Sequence, residues 1–235
     1  MNDRPASDYL NWKNWDERPF GAFSKLDDAY FHGEMGRAGV ASGRPLNVLE
    51  IGFGNGQFLA WARSKGHCVS GVEILPELIS RARSIGVPVF DAVSDIPAME
   101  QFDAVVAWDV FEHIEKDELS SLLDRVKNRL APSGKIIARF PNAGSPFGQH
   151  YQWSDITHIT ALTSESIRQL AIGAGLKLVR CDAPCLPLRG VGLTRLFRRT
   201  SIFLIRRAVE RAVRLIYFDG QAISLASNLV VVLEK

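Results

Sequence analysis

Cysteine is scarce in this 235-residue chain: Cys68, Cys181 and Cys185 are the only three. Thiols so few and so unevenly placed build no disulfide framework, which points to a reducing, cytoplasmic compartment. Cys181 and Cys185 have no histidine near them in sequence, so no zinc site is expected there. Net charge is also small: 28 basic against 26 acidic residues leaves +2, too near neutral to indicate nucleic acid as a partner. Long apolar runs are missing, and nothing approaches the ~18 residues a membrane span requires. The opening MNDRPASDYLNWKNWDE lacks the apolar stretch of a secretory signal. No internal repeat or low-complexity segment is visible. What is present is ordinary globular composition, 46% hydrophobic and 23% charged, which excludes a disordered or fibrous chain. At about 150 residues per domain, the length suggests one large domain, or one domain with additions.

From residue 46 onward, short apolar runs alternate with periodic segments. LNVLEIGF (46–53), HCVSGVEI (67–74), VPVF (87–90), FDAVVAWDV (102–110), KIIARF (135–140) and LKLVR (176–180) read as strands. Between them, 56–66, 76–86, 116–134 and 164–175 carry helical spacing, with Pro76 at a helix start, Gly86 at its end and Thr163 as an N-cap. The last strand is expected within 222–235. Strand alternating with helix implies a doubly wound, mostly parallel sheet covered on both faces. Residues 46–187 and 219–235 form this domain. Outside it stand 1–45, where Trp12, Trp15, Phe20, Phe23, Tyr30 and Phe31 suggest either a cap over a site or helices packed on the sheet, and 188–218. The latter holds eight arginines against Glu210, a local +7.

The chemistry centres on the first strand, which ends in Glu50-Ile51-Gly52-Phe53-Gly54-Asn55-Gly56 just before a helix. Glycines there let the backbone approach a ligand, and the helix N-terminus offers N–H groups. The dinucleotide fingerprint G-x-G-x-x-G/A competes with this reading, but its third position is Gln57. Glu73 ends the second strand, where a carboxylate can accept bonds from both hydroxyls of a ribose.

VLEIGFGNGQFLAWA, the Glu73 of GVEILPEL, FDAVVAWDVFEHI and LAPSGKIIARFPN occur in an order and spacing that resemble class I S-adenosylmethionine (SAM)-dependent methyltransferases over roughly 46–180. Within them the chain is similar to the ubiquinone-biosynthesis type and, through FPNAGSPFGQHYQWSDITHITALTSESIRQL, to methyltransferases of bacterial surface polysaccharides. The resemblance implies a Rossmann-like sheet of seven strands whose last strand is antiparallel. It implies that Glu50 and the backbone at Gly52, Gly54 and Gly56 hold the methionine end of SAM. Glu73 would bind the ribose, Ile74 would pack on the adenine, Asp91 with Ala92 would read the adenine edge, and Asp109 would sit beside the methionine moiety. Asp95 competes with Asp91 for its place. S-adenosylhomocysteine would be the product. The acidic metal cluster of small catechol methyltransferases is not recognisable, and no metal is expected.

Methyl transfer to a hydroxyl needs alignment and removal of the hydroxyl proton, and a histidine suits the second task at neutral pH. Of five histidines, His32 and His67 read as structural or exposed. His158, in the loop after the fifth strand, is the first candidate base, with Asp155 to orient it; His113, in FEHI, is the second. Arg139, Asn142, Gln149, His150 and Trp153 are candidate acceptor contacts, since open α/β sheets place substrates beyond the strand C-termini. The expected acceptor is a sugar hydroxyl of a surface polysaccharide or its nucleotide- or lipid-linked precursor, with a ubiquinone-type aromatic hydroxyl as the alternative. An NAD-dependent oxidoreductase and a non-catalytic SAM-binding protein are the readings from other classes. In 188–218 two apolar faces lie about opposite each other on a helical wheel, which predicts two helices or one whose surroundings change near 203–205. This element could meet an anionic membrane, placing the protein at the inner membrane surface, or pack on the domain or a dimer.

Overall fold

The computed structural model describes residues 12, 13, 15, 19–40, 43–187 and 192–235. The first eleven residues of the expected cap, and Arg189 of the basic segment, lie outside them. Seven strands form one sheet: β1 (Asn47–Ile51), β2 (Cys68–Val72), β3 (Val89–Phe90), β4 (Phe102–Trp108), β5 (Leu130–Pro141), β6 (Lys177–Asp182) and β7 (Asn228–Glu234). Their order is β3-β2-β1-β4-β5-β7-β6. Only β7 runs against its neighbours, pairing antiparallel with both β5 and β6. The helices are α1 (Lys25–Arg37), α2 (Gln57–Ser64), α3 (Pro76–Ser84), α4 (Lys116–Arg129), α5 (Pro146–Ser154), α6 (Ser164–Gly173) and α7 (Leu193–Tyr217).

The central strands are buried on both sides, and period-2 alternation sorts their residues between two cores. Val105 and Ala107 of β4 join α4 and α6 through Leu119, Leu123 and Ile167. Ala104 and Val106 face the other way, onto Phe31 and Met35 of α1, Phe58 and Trp61 of α2, and Leu78 of α3. Each fully buried Leu, Ile or Phe contributes ~1.5–3 kcal/mol. Two such layers hold the sheet rigid, so the strand ends are fixed platforms.

Local signals set the boundaries. Ser24 and Asp27 make a reciprocal capping box at the start of α1. Pro76 begins α3, and Thr163 caps α6 through the Ser166 amide. Three boundaries differ from the sequence expectation. The strand expected at 135–140 starts at Leu130, because Leu130 pairs with Phe102 of β4 before an irregularity that takes up residues 131–134, Pro132 and Gly134 among them, and the register resumes at Lys135 opposite Ala104. The final strand begins at Asn228, so 222–227 is loop. Residues 146–154, expected as loop, form α5, with Pro146 in the first turn and Ser145 as its cap. The basic segment is one continuous helix, α7, not two.

Candidate active site

Between β1 and α2 the chain turns through Gly52, Gly54 and Gly56, with φ of 64°, 51° and 71°. A side chain is excluded twice over at the last two. Positive φ strains any L-residue, and a Cβ would lie 2.7 Å from the Trp15 ring at Gly54 and 2.4 Å from the Phe20 ring at Gly56. Trp15 and Phe20 belong to the N-terminal segment, which therefore covers the glycine turn. The segment is tied down on both sides, since Arg81 of α3 donates to the Trp15 carbonyl (2.8 Å) and Lys13 pairs with Asp155 (3.1 Å).

Glu73 follows β2 directly and is buried. It accepts from the Gly54 amide (3.2 Å) at one oxygen and from the Ile74 (2.8 Å) and Leu75 (3.2 Å) amides at the other. Burial raises its pKa against the pull of those three bonds. Ile74 beside it is largely exposed, an apolar surface next to the Glu73 carboxylate. Glu50, on β1, is buried with one oxygen lacking a hydrogen-bond partner, and burial, reinforced by the Glu73 charge, holds its pKa well above the usual carboxylate range. A buried carboxylate left unsatisfied at the head of a glycine turn is what the amino group of an amino-acid moiety would neutralise.

Asp91 is exposed just beyond β3, while Asp95 folds back to accept from the Ala92 amide (3.1 Å). Asp109, after β4, adopts a left-handed backbone (φ 56°) and pairs side-on with Arg139 of β5. The guanidinium lies 5.3 Å from the Tyr30 ring and 5.9 Å from the Trp108 ring. Tyr30 thus reaches the site from α1, and burial raises its phenol pKa.

Beyond Asp109 a 3-10 turn, Phe111–His113, presents Glu112 and His113 at the sheet edge. The loop after α5 folds over this turn. Ile159 and Thr160 donate their amides to the Glu112 carbonyl, and Thr160 Oγ1 donates to that of Ile114. His158 and His113 consequently meet edge to face, ring centres 4.6 Å apart. His158 Nδ1 lies 3.1 Å from the Gln152 carbonyl, to which it can only donate, so the neutral ring keeps its lone pair on Nε2. That atom lies 3.7 Å from Asp155 Oδ2 and 3.9 Å from Glu112 Oε1. His113 Nδ1 sits at 3.2 Å from the Thr157 carbonyl and 3.0 Å from its hydroxyl. Thr157 in turn donates to Asp155 (2.6 Å). Desolvation, then the neighbouring His158, lowers the pKa of His113; burial pushes Glu112 well up.

Glu112 is fully buried and neither of its oxygens has a hydrogen-bond partner. One ligand atom each from Glu112, His113 and His158 falls within 4.8 Å of the others, a grouping that could take a cation after the side chains close in. The sequence reading missed this grouping because His158 stands forty-five residues beyond its partners in the chain. The cysteines are a different matter: burial pushes the thiols of Cys181 and Cys185 up to about 12, away from thiolate chemistry.

The candidate acceptor contacts divide. Gln149, His150 and Trp153 are exposed on α5, next to exposed Phe147 and Tyr151. Asn142 is different. It is buried, donates to the Ser224 and Ala226 carbonyls (3.0 Å each) and accepts from the Gly144 amide, so it staples two loops together. Lys13, Glu112 and Thr157 complete the site without having been singled out from sequence, since only the fold brings them there, while Tyr30, one of the aromatic residues of the possible cap, joins them beside Arg139.

Comparison with known proteins agrees with this geometry. A family described as a methyltransferase domain matches residues 31–180. Among solved structures, a SAM-dependent methyltransferase from Archaeoglobus fulgidus superposes with a TM-score of 0.65 at 18% identity, covering 95% of this chain and 100% of that one. One from Mesorhizobium loti gives 0.59 at 16%, over 89% and 100%. A Burkholderia thailandensis 1,6-didemethyltoxoflavin N1-methyltransferase with bound S-adenosylhomocysteine gives 0.58 at 17%, over 97% and 86%. Identities this low speak for the fold alone. No protein of curated function matches the chain. The family match spans most of the sequence and falls on the glycine turn, Glu73, Asp109 and the 3-10 turn, so the chain belongs to the methyltransferases, in their class I, SAM-dependent form.

Proposed function

We propose that this protein methylates a hydroxyl of a sugar belonging to a bacterial surface polysaccharide or to its nucleotide- or lipid-linked precursor. The observation that carries the reading is α5. It offers Trp153 and Tyr151 as exposed rings on which a sugar can stack, and Gln149 and His150 as polar partners, on the helix whose Gln152 carbonyl orients His158.

When bound, SAM supplies an electrophilic methyl group on a sulfonium. The buried carboxylates of Glu73 and Glu50 and the backbone at Gly52, Gly54 and Gly56 would hold it, with Ile74 against the adenine, Asp91 and Ala92 at its edge and Asp109 near the methionine end. The chain's own contribution to the reaction is positioning and proton removal. His158 Nε2 takes the acceptor hydroxyl proton; Asp155 and Glu112 beside it stabilise the resulting imidazolium. The Trp15 and Phe20 rings lie against the glycine turn and shield it from water.

Titration calorimetry against SAM, S-adenosylhomocysteine and NAD, with Glu73→Ala as control, tests the cofactor. Binding of the first two, weakened by the substitution, is expected; binding of NAD alone would overturn the assignment. A panel of glycosyl acceptors against hydrophobic catechols then tests the acceptor, and turnover confined to catechols would move the reading to a ubiquinone-type precursor. Chelator should leave turnover intact, because a requirement for a divalent ion at Glu112, His113 and His158 would make His158 a ligand and not the base. A lipid-linked acceptor would be met at a membrane surface, which bears on α7.

A further inference from the structure

Helix α7 is anomalous in this fold. It runs 25 residues, about 37 Å at 1.5 Å per residue, yet none of its described side chains is buried. At about 100° per residue, Phe197, Leu204, Ile205, Val209, Leu215 and Ile216 fall within roughly half the helix circumference. All six are exposed, by between 47% and 76%. The other side meets the segments that flank the helix in the chain, where Arg199 donates to the Pro187 carbonyl and Glu210 accepts from the Leu225 amide. An amphipathic helix in a globular protein turns its apolar side inward; this one turns it out. It also carries seven arginines against the single acid Glu210, a net +6. Arg198, Arg206 and Arg211 make no ion pair among the described residues.

The topology says where this surface lies. β6 ends at the same sheet edge as β5, and antiparallel β7 begins there, with Asn228 opposite Pro141. Both ends of the arm 183–227 are therefore attached at the mouth of the active site. At the near end, Ser145 Oγ donates to the Leu225 carbonyl, and Asn142 binds Ser224 and Ala226. These contacts fasten the arm to the loop that leads into α5.

We propose that α7 is an interfacial helix that lays its exposed apolar side on an anionic lipid surface and holds the mouth of the active site there. Its charge selects this occupant. Arg206 and Arg211 flank the apolar band and Arg198 stands within it, where its long stem can lie along apolar surface while the guanidinium meets an anionic headgroup, whereas two copies of α7 packed together would juxtapose like charges. No helix among the described residues is long and apolar enough to cross a membrane, so contact is confined to one leaflet. The inference does not depend on which acceptor is methylated.

The full chain should co-sediment with phosphatidylcholine vesicles containing phosphatidylglycerol, and at least tenfold less with phosphatidylcholine alone. The doubly substituted Ile205→Asp/Ile216→Asp protein should lose at least tenfold in binding, and Arg206→Gln or Arg211→Gln about fivefold each at low salt. SAM affinity of these variants, measured in parallel, should match the wild type and so report an intact fold. Absence of binding to the anionic vesicles at low salt overturns the proposal, as does undiminished binding by the double variant. A wild-type dimer that the same double substitution dissociates, with no binding to vesicles, would assign the surface to a second copy of the chain.

Discussion

The two ends of the active-site edge are built in different ways. At β1 and β2 the groups proposed to hold the cofactor lie within twenty-four residues of one another, and each is fixed by nearby backbone: positive φ at the glycines, and three amides around Glu73. At β4 and β5 the groups come from the 3-10 turn, from the loop after α5 and from Lys13 near the N-terminus, and they are fixed by bonds between distant segments. The first is a local construction that any chain with that turn must repeat. The second exists only when the whole domain has closed. Cofactor binding and proton removal should accordingly be separable by substitution.

The largest separation is expected at His158. His158→Ala should lower turnover by about 10²–10⁴, the range for a lost general base, while SAM affinity stays within about twofold. Single-turnover rates and calorimetry on the same preparation check both halves; wild-type turnover would remove His158 from the mechanism. Glu73→Gln should do the reverse. Two hydrogen bonds to a charged acceptor at ~1.5 kcal/mol or more each amount to about a hundredfold in SAM affinity. Turnover at saturating SAM should change far less.

Asn142→Ala probes what holds the distal half together. Its loss leaves the Ser224 and Ala226 carbonyls and the Gly144 amide without their partner, a cost of about 1–3 kcal/mol that thermal or urea melts would register. If the residue serves to staple the loops, KM for acceptor should rise only as far as stability falls. An intact melting curve with a raised KM would return Asn142 to the acceptor site.

Legibility in the sequence follows the same division. Strands β1, β2 and β4, the glycine turn and Glu73 could be read because period-2 burial and positive-φ glycines are local signals. Helix α5 could not, since its Gly148 and Pro146 read as loop residues; a buried seat against Asn142 and Ser227 makes the helix. His113 and His158 were singled out one by one, but nothing in their spacing announces that their rings touch or that Glu112 is buried between them. For α7 the wheel showed apolar residues on two sides, which left open two helices or one whose surroundings change near 203–205. The structure makes it one helix, with Phe197 and Ile216 both exposed.

The smallest effect, and the one that sharpens the comparison most, concerns Glu50. Its pKa in the folded chain is raised by burial and by the Glu73 charge, above the ordinary value of 4.5. The folded state therefore favours the protonated form. The stabilisation this gives is complete below about pH 4.5 and is lost as pH rises through the folded value, so at neutral pH the raised pKa counts against folding. Glu50→Gln removes that opposition. Its melting temperature should exceed the wild type's at pH 7–8 by ~2–4 °C, which is what about 1 kcal/mol does in a chain of this size, and the gain should vanish near pH 4. The same variant should bind SAM more weakly, as expected where a site keeps a charge that the fold alone would reject. A melting difference that does not change with pH would mean that the pKa of Glu50 is the same in the folded and unfolded chain. Its missing partner would then mark a packing feature of β1 rather than a place prepared for the cofactor.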